Sequence, residues 1–246
     1  MSWLNAPLVG FDVETTGPDP ETARIVTACA VRWGGGMPPR SRSWLSDVDG
    51  EEIPDEAAEI HGVTTEAARS AGRPARAVTE ELVTVLAASA AAGMPLVIMN
   101  APYDLTVLDR ECARFGLPTV FELAQPVIID PRVLDKRVDR YRKGRRTLTA
   151  LCEHYGVELT AAHSADADAS AACAVAHAIG SRVTWVGQRD AEDLHMQQLR
   201  WARQQAEGLR DYFAASSDPE TAAQAPGVRL DWPLIPRPRT GGGEVR

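Results

Sequence analysis

The sequence predicts a mixed α/β fold: a five-stranded sheet with helices on its faces and a helical extension at the C-terminal end. Three β-prone apolar runs come in succession at 7–13, 24–33 and 40–46. Two further short and continuously apolar runs stand at 95–100 and 126–130, of the kind that forms buried strands. Helical patterns separate and follow those two. The resulting order, βββαβαβαα, places sheet and helices in layers around one core.

Taken in order, the first two runs are joined by the turn-rich TTGPDPETA, and the third follows the GGGMPP turn. Residues 55–70 read as short helical pieces around HGVTT. From Pro74 to Ala92 the periodicity is helical, with Val78, Leu82, Val85 and Leu86 on one face, and Gly93 and Pro95 stop it. Helices are expected at 103–115, 147–155 and 166–180. Residues 188–214 form a long, largely polar helical pattern that still carries Leu194, Trp201, Leu209 and Tyr212. Beyond Ser216 the composition turns to Pro, Gly, Ala and Arg. These shifts divide the chain into a domain over 1–182, an extension over 183–215 and a tail over 216–246 expected to be flexible.

At 246 residues the chain can bury one sizeable core. Its net charge of −8 argues against a general nucleic-acid coat protein, yet a site that holds cations needs acids of its own. The first residues, MSWLNAPLVGFDVE, lack a basic stretch followed by a long apolar core, and no apolar run approaches the roughly 20 residues of a membrane span. A cytoplasmic protein without a membrane partner is the expectation. Cys29, Cys112, Cys152 and Cys173 stand apart with no CxxC pair, which argues for reduced core thiols and against zinc.

The chemistry lies in a set of acids. Asp12 and Glu14 are two apart in a strand, so both project to one face among Leu8, Val9, Phe11 and Val13. Two ionised groups there are costly unless a cation compensates them; the bland alternative is a strand end with solvated acids. Asp104 follows the apolar run 95–100 in the first turn of a helix, where an acid also simply complements the dipole. It lies, however, at the carboxyl end of a central strand, where such sheets place ligands. If 165–179 is helical, Ala165, Asp168, Ala172, Val175 and Ile179 share an apolar stripe. Asp168 then points inward, while Asp166 falls on a more polar face. His163 belongs to the loop before that helix, either as a solvated histidine or as a general base beside the inward acid. Acids gathered from such distant segments suggest a metal site suited to phosphodiester hydrolysis.

FDVETTG, NAPYD and HSADAD, in this order and with an H-x4-D spacing in the last, resemble the three motifs of the DnaQ-like 3′–5′ exonucleases, the histidine-bearing (DEDDh) branch of the DEDD superfamily. The resemblance runs from about residue 7 to 180, and IHGVT at 60–64 also resembles a family element. It implies a ribonuclease H-like sheet, with Asp12, Glu14, Asp104 and Asp168 holding two divalent cations, Mg²⁺ or Mn²⁺. His163 would deprotonate the attacking water, for which an imidazole is suited near neutral pH. All-oxygen ligands favour such hard cations. The implied substrate is the 3′ end of a single-stranded nucleic acid, with 5′-mononucleotides as products.

By the same resemblance Thr15, Thr16 and Gly17 meet the terminal nucleotide, although a turn needing glycine is the plain alternative. Many relatives carry a leucine after that glycine, and Pro18 stands there instead. Tyr103 offers a stacking surface in its place; Asn100 and His61 are further candidate contacts. Between Arg132 and Arg146, eight basic residues face only Asp135 and Asp139, and Arg142, Arg145 and Arg146 are candidates to track phosphates unless the run is only a solvated surface. DNA and RNA substrates remain open, as does a non-catalytic docking module. The 183–215 extension either packs on the core or engages a partner such as a DNA polymerase.

Overall fold

The computed structural model describes residues 2–159 and 163–237. A 3-10 turn (Trp3–Asn5) leads into β1 (Pro7–Thr15), which pairs antiparallel with β2 (Ile25–Gly34), itself antiparallel to β3 (Arg40–Leu45). Three helices follow, α1 (Asp55–His61), α2 (Thr65–Ala71) and α3 (Ala75–Ala91). The chain then returns to the sheet as β4 (Leu96–Val97), parallel to β1, before α4 (Ala101–Phe115) and α5 (Val120–Leu123). The last strand, β5 (Ile128–Ile129), is parallel to β4 and completes a five-stranded sheet ordered β3-β2-β1-β4-β5. Next come α6 (Pro131–Val138), α7 (Leu148–Tyr155), α8 (Ala165–Arg182), α9 (Thr184–Gly187), α10 (Ala191–Ala214) and α11 (Pro219–Ala222). This is the mixed, helix-flanked sheet that the sequence predicts.

β4 and β5 are shorter than the apolar runs that announce them. Each contributes two residues to the ladder, because the chain must leave the sheet at once to start a helix. Asn100 turns into the left-handed region (φ 63°) and Asp130 caps α6, accepting the Arg132 N–H at 2.9 Å. α4 accordingly starts at Ala101, with Pro102 in a first turn that has no use for its N–H.

The two faces of the sheet are covered differently. Cys29 and Val31 of β2 pack on Ala165 and Ala169 of α8, and they stand opposite Asp12 and Gly10 of β1 in the register. Gly10, Asp12 and Glu14 therefore all look towards α8. A Cβ at Gly10 would sit 2.4 Å from the Ala169 carbonyl oxygen and 2.9 Å from Cys173 Sγ. Only glycine lets the helix come this close. On the opposite face Phe11, Ala28 and Ala30 join the core with Leu82 and Leu86 of α3 and Leu105 of α4. All four cysteines are free and buried, as the isolated spacing implied.

Beyond Ser216 the chain makes contacts with the domain as far as Arg237. The Trp232 indole N–H donates to Asp130 Oδ2 at 3.2 Å, the Ile235 N–H donates to Thr106 Oγ1 at 3.1 Å, and Arg237 Nε donates to Asp109 Oδ2 at 2.7 Å. Trp232 and Ile235 are both buried. The few apolar residues of this Pro-rich stretch suffice because they fit an existing surface and need not build a core of their own. Residues 238–246, the end of the tail expected to be flexible, lie outside the described residues. No helix among the described residues is long and apolar enough to cross a membrane.

Candidate active site

The β1–β4 ladder ends at Gly10 and Val97, so the N–H of Val13 further along β1 has no strand beside it. Asp104, in the first turn of α4, supplies the acceptor: its Oδ1 takes the Val13 N–H at 3.1 Å. That bond draws the Asp104 carboxylate into the plane of β1 between Asp12 and Glu14. From the α8 side Gly10 admits Asp168, one residue before Ala169. Acids of three elements thus meet at one end of β1.

Their electrostatics report the meeting. Burial, followed by Asp104, Asp168 and Glu14, holds the Asp12 carboxyl well above the usual carboxylate range. Burial, then Asp168, pushes Glu14 up to about 7. Asp104 is raised by burial against the opposing pull of the Val13 N–H, with Asp130 and Glu14 adding to the rise. Burial also raises Asp168, and the His163 N–H opposes it. Four carboxylates that repel one another, one buried and three half-buried, favour a cation.

Asp168 Oδ1 is buried and has no hydrogen-bond partner among the described residues, whereas Oδ2 accepts the His163 backbone N–H at 3.2 Å. One ligand-capable atom each from Glu14, His163 and Asp168 lie within 4.8 Å of one another. A hard divalent ion suits this oxygen-rich donor set. His163 itself is exposed, and its backbone is left-handed (φ 66°), a strained conformation for a non-glycine residue. Asp166, two residues before Asp168, is exposed and paired with the Ser164 hydroxyl. Its carboxylate belongs to the polar face, as the helical stripe implied.

Beside Glu14 opens a cavity of about 560 Å³, lined by Thr15, Thr16, Gly17, Ile60, His61 and Tyr103 among others. Five of the six predicted substrate contacts meet here. The Tyr103 hydroxyl bonds both Thr15 Oγ1 and the Gly17 carbonyl, so it pins the turn while its ring forms a wall. Gly17 is not required by the turn: it has no positive φ, and a Cβ there would meet no atom within 4 Å. His61 Nδ1 accepts the Val63 N–H at 3.2 Å; burial holds the imidazole below its usual pKa, with the nearby Thr15 carbonyl opposing. Asn100 is placed elsewhere. Its side-chain oxygen accepts from Arg132, and it lines a different cavity behind the first turn of α4.

The basic run divides between half-buried and exposed side chains. Arg142 and Arg146 both turn inward to the fully buried Asp135, which also accepts the Tyr155 hydroxyl at 2.9 Å. They balance an internal charge. Arg145 is exposed. Asp130 was not singled out from the sequence, yet it organises the neighbourhood by accepting the N–H groups of Asn100, Ala101, Arg132 and Trp232. Its position at the end of PVIID, directly before a proline, was the available signal.

No curated protein matches the chain. Among solved structures, E. coli exonuclease I in complex with a dT13 oligonucleotide has a TM-score of 0.59 at 18% identity, over 73% of this chain and 42% of that one. The zinc-bound form of the E. coli exonuclease I–ssDNA complex gives 0.63 at 18% identity, over 80% and 43%. A product-bound exonuclease I gives 0.62 at 17% identity, over 83% and 48%. The chain thus spans less than half the length of these proteins, and at such identity the likeness is one of fold, the ribonuclease H-like exonuclease sheet. A model of the exonuclease (RNase T) family matches residues 9–176, a stretch that opens in β1, closes in α8 and holds every one of the converging acids; the chain belongs to that family.

Proposed function

We propose that this chain is a divalent-cation-dependent 3′–5′ exonuclease of the histidine-bearing DEDD branch, acting on single-stranded ends and releasing 5′-mononucleotides. The observation that carries this reading is the convergence of Asp12, Glu14, Asp104 and Asp168 beside His163, with a buried Asp168 oxygen left unpartnered.

The four carboxylates would hold two Mg²⁺ or Mn²⁺ ions. Bound there, the cations supply Lewis acidity and neutralise charge on the phosphodiester. His163, with its ring nitrogen near Glu14 and Asp168, takes the proton of the attacking water as general base. Exposure of that histidine suits the role, since the proton must afterwards reach solvent. Thr15, Thr16 and Gly17 border the cavity into which the terminal nucleoside fits, and Tyr103 and Ile60 give its base an apolar wall. The Tyr103 hydroxyl, bonded to Thr15 and Gly17, holds that wall in place in this structure. The oligonucleotide complexes of the similar exonuclease I structures support a single-stranded substrate. The proposed partner is a DNA polymerase beside which the chain would remove mismatched 3′ ends.

The test incubates the full chain with 3′-labelled single-stranded DNA, RNA and a duplex with a mismatched 3′ end, each with Mg²⁺, Mn²⁺ or EDTA. Stepwise release of 5′-monophosphates from the 3′ end, only with cation, is expected. Absence of release from every substrate in Mn²⁺ would overturn the reading, and the substrate ranking assigns its finer form.

A further inference from the structure

A groove lies between α6 and α10, away from the cavity at Glu14. Its volume is about 500 Å³, and its walls include Lys136, Arg137 and Arg140 on one side and Trp201 and Tyr212 on the other, with Tyr141 at the rim. No acidic residue lines it among the described residues. Three positive charges on one wall stand out in a chain of net charge −8. Among the described residues, the side chains of Lys136, Arg137 and Arg140 form no ion pair. Their neighbours Arg142 and Arg146 take up Asp135, and Asp139, the other carboxylate of this run, pairs with none of the three among the described residues. Burial and the adjacent arginines 132, 146 and 140 hold Lys136 below its usual pKa, a strain that a bound anion would relieve.

The aromatic residues complete the pattern. Tyr141 is 85% exposed and Tyr212 68% exposed, unusual positions for large rings that no described residue covers. Arg137 lies over the Trp201 ring at 5.4 Å and Arg140 over Tyr141 at 5.5 Å, so cations and π-faces alternate along the groove. A protein partner would want an apolar centre with its charges at the rim. Unpaired cations interleaved with exposed rings suit a single strand, whose phosphates and base faces alternate in the same way.

We infer that the groove between α6 and α10 binds single-stranded nucleic acid, with Arg137 and Arg140 on its phosphates and Tyr141 and Tyr212 stacked on its bases. A second cavity of about 550 Å³ shares Lys136, Gln205 and Leu209 with the groove and reaches Arg132, Asn100 and Pro102, with Asp130 and Asp231 also in its lining. Pro102 adjoins Tyr103, which walls the cavity at Glu14. The proposed route of a strand whose 3′ end lies at the acids runs past Pro102 and this second cavity into the groove. That route rests on the exonuclease reading, whereas binding in the groove does not.

Fluorescence anisotropy of the full chain in EDTA, with labelled dT16, rU16 and dT4, separates the two. The variants Arg137→Ala/Arg140→Ala and Tyr141→Ala/Tyr212→Ala change exposed side chains and should leave the far-UV circular dichroism unchanged. Each should weaken dT16 and rU16 binding at least tenfold, towards the dT4 level. The arginine variant should also flatten the salt dependence, lowering the log–log slope by about 1.4 for two phosphates at roughly 0.7 each. Unchanged dT16 affinity and slope in both folded variants would overturn the inference, as would failure of the unaltered chain to bind dT16. Groove-dependent binding by a protein that releases no nucleotide in Mn²⁺ would uphold the groove while the exonuclease reading fell.

Discussion

Asp166 and Asp168 share a helix, a charge and a neighbourhood, but only Asp168 turns its carboxylate inward to the acids of β1. Asp168→Ala or Asp12→Ala should abolish cation-dependent mononucleotide release, while Asp166→Ala should keep most of it; equal loss at 166 and 168 would refute the assignment of faces. His163→Ala should slow the reaction about 10²–10⁴-fold if the imidazole takes the proton, and a rate–pH profile identical to that of the unaltered enzyme would remove it from that role. Glu14 gives a prediction on stability. Its carboxyl stands at about 7 in the folded, cation-free protein against an ordinary 4.5. Between those values the native state holds a proton that the unfolded chain has released, so stability declines as pH rises through this window and the loss is complete above it. In EDTA, Tm should therefore fall between pH 5 and 8, and Mn²⁺ should raise it more at pH 8 than at pH 5. Glu14→Gln should shrink that difference; an equal Mn²⁺ shift at both pH values would contradict the coupling.

At the level of elements, the meeting of β1 with α8 depends on one missing methyl group. Gly10→Ala would place its Cβ against the Ala169 carbonyl, a backbone atom that cannot swing aside. Overpacking of this kind costs about 1–3 kcal/mol, and urea denaturation should show it as a lower midpoint with an unchanged slope. Because the displaced helix carries Asp168, activity at full folding should fall as well. The strand alternation that put Asp12 and Glu14 on one face was legible in the sequence, since a period of two needs no tertiary information. So was the inward stripe of α8. The lengths of β4 and β5 were not, because an apolar run records burial and not the number of residues that pair. Nor was the fate of Arg142 and Arg146: in the sequence Asp135 only reduces a charge count, whereas in the fold it is fully buried and draws both arginines to itself.

Across the whole molecule, the C-terminal stretch was the least legible part. A Pro- and Gly-rich composition says that a segment cannot form a core; it does not say that an existing surface will refuse it. Trp232 donates to Asp130 and lies against the His195 ring of α10, Ile235 donates to Thr106 of α4, and Arg237 and Arg110 share the buried Asp109. Trp232→Ala should destabilise the protein towards the low end of the roughly 3–5 kcal/mol typical of a core tryptophan, measured by chemical denaturation. A change below about 0.5 kcal/mol would mean that the segment is only lightly held.

The Asp130 carboxylate receives two N–H groups on each oxygen, from the start of α4, the start of α6 and the indole of Trp232. It works as a keystone in which the far terminus and the helix bearing Asp104 lean on the same stone. A protease cut between Asp218 and Trp232 would let that helix settle differently, and catalysis would dim while the sheet still stood.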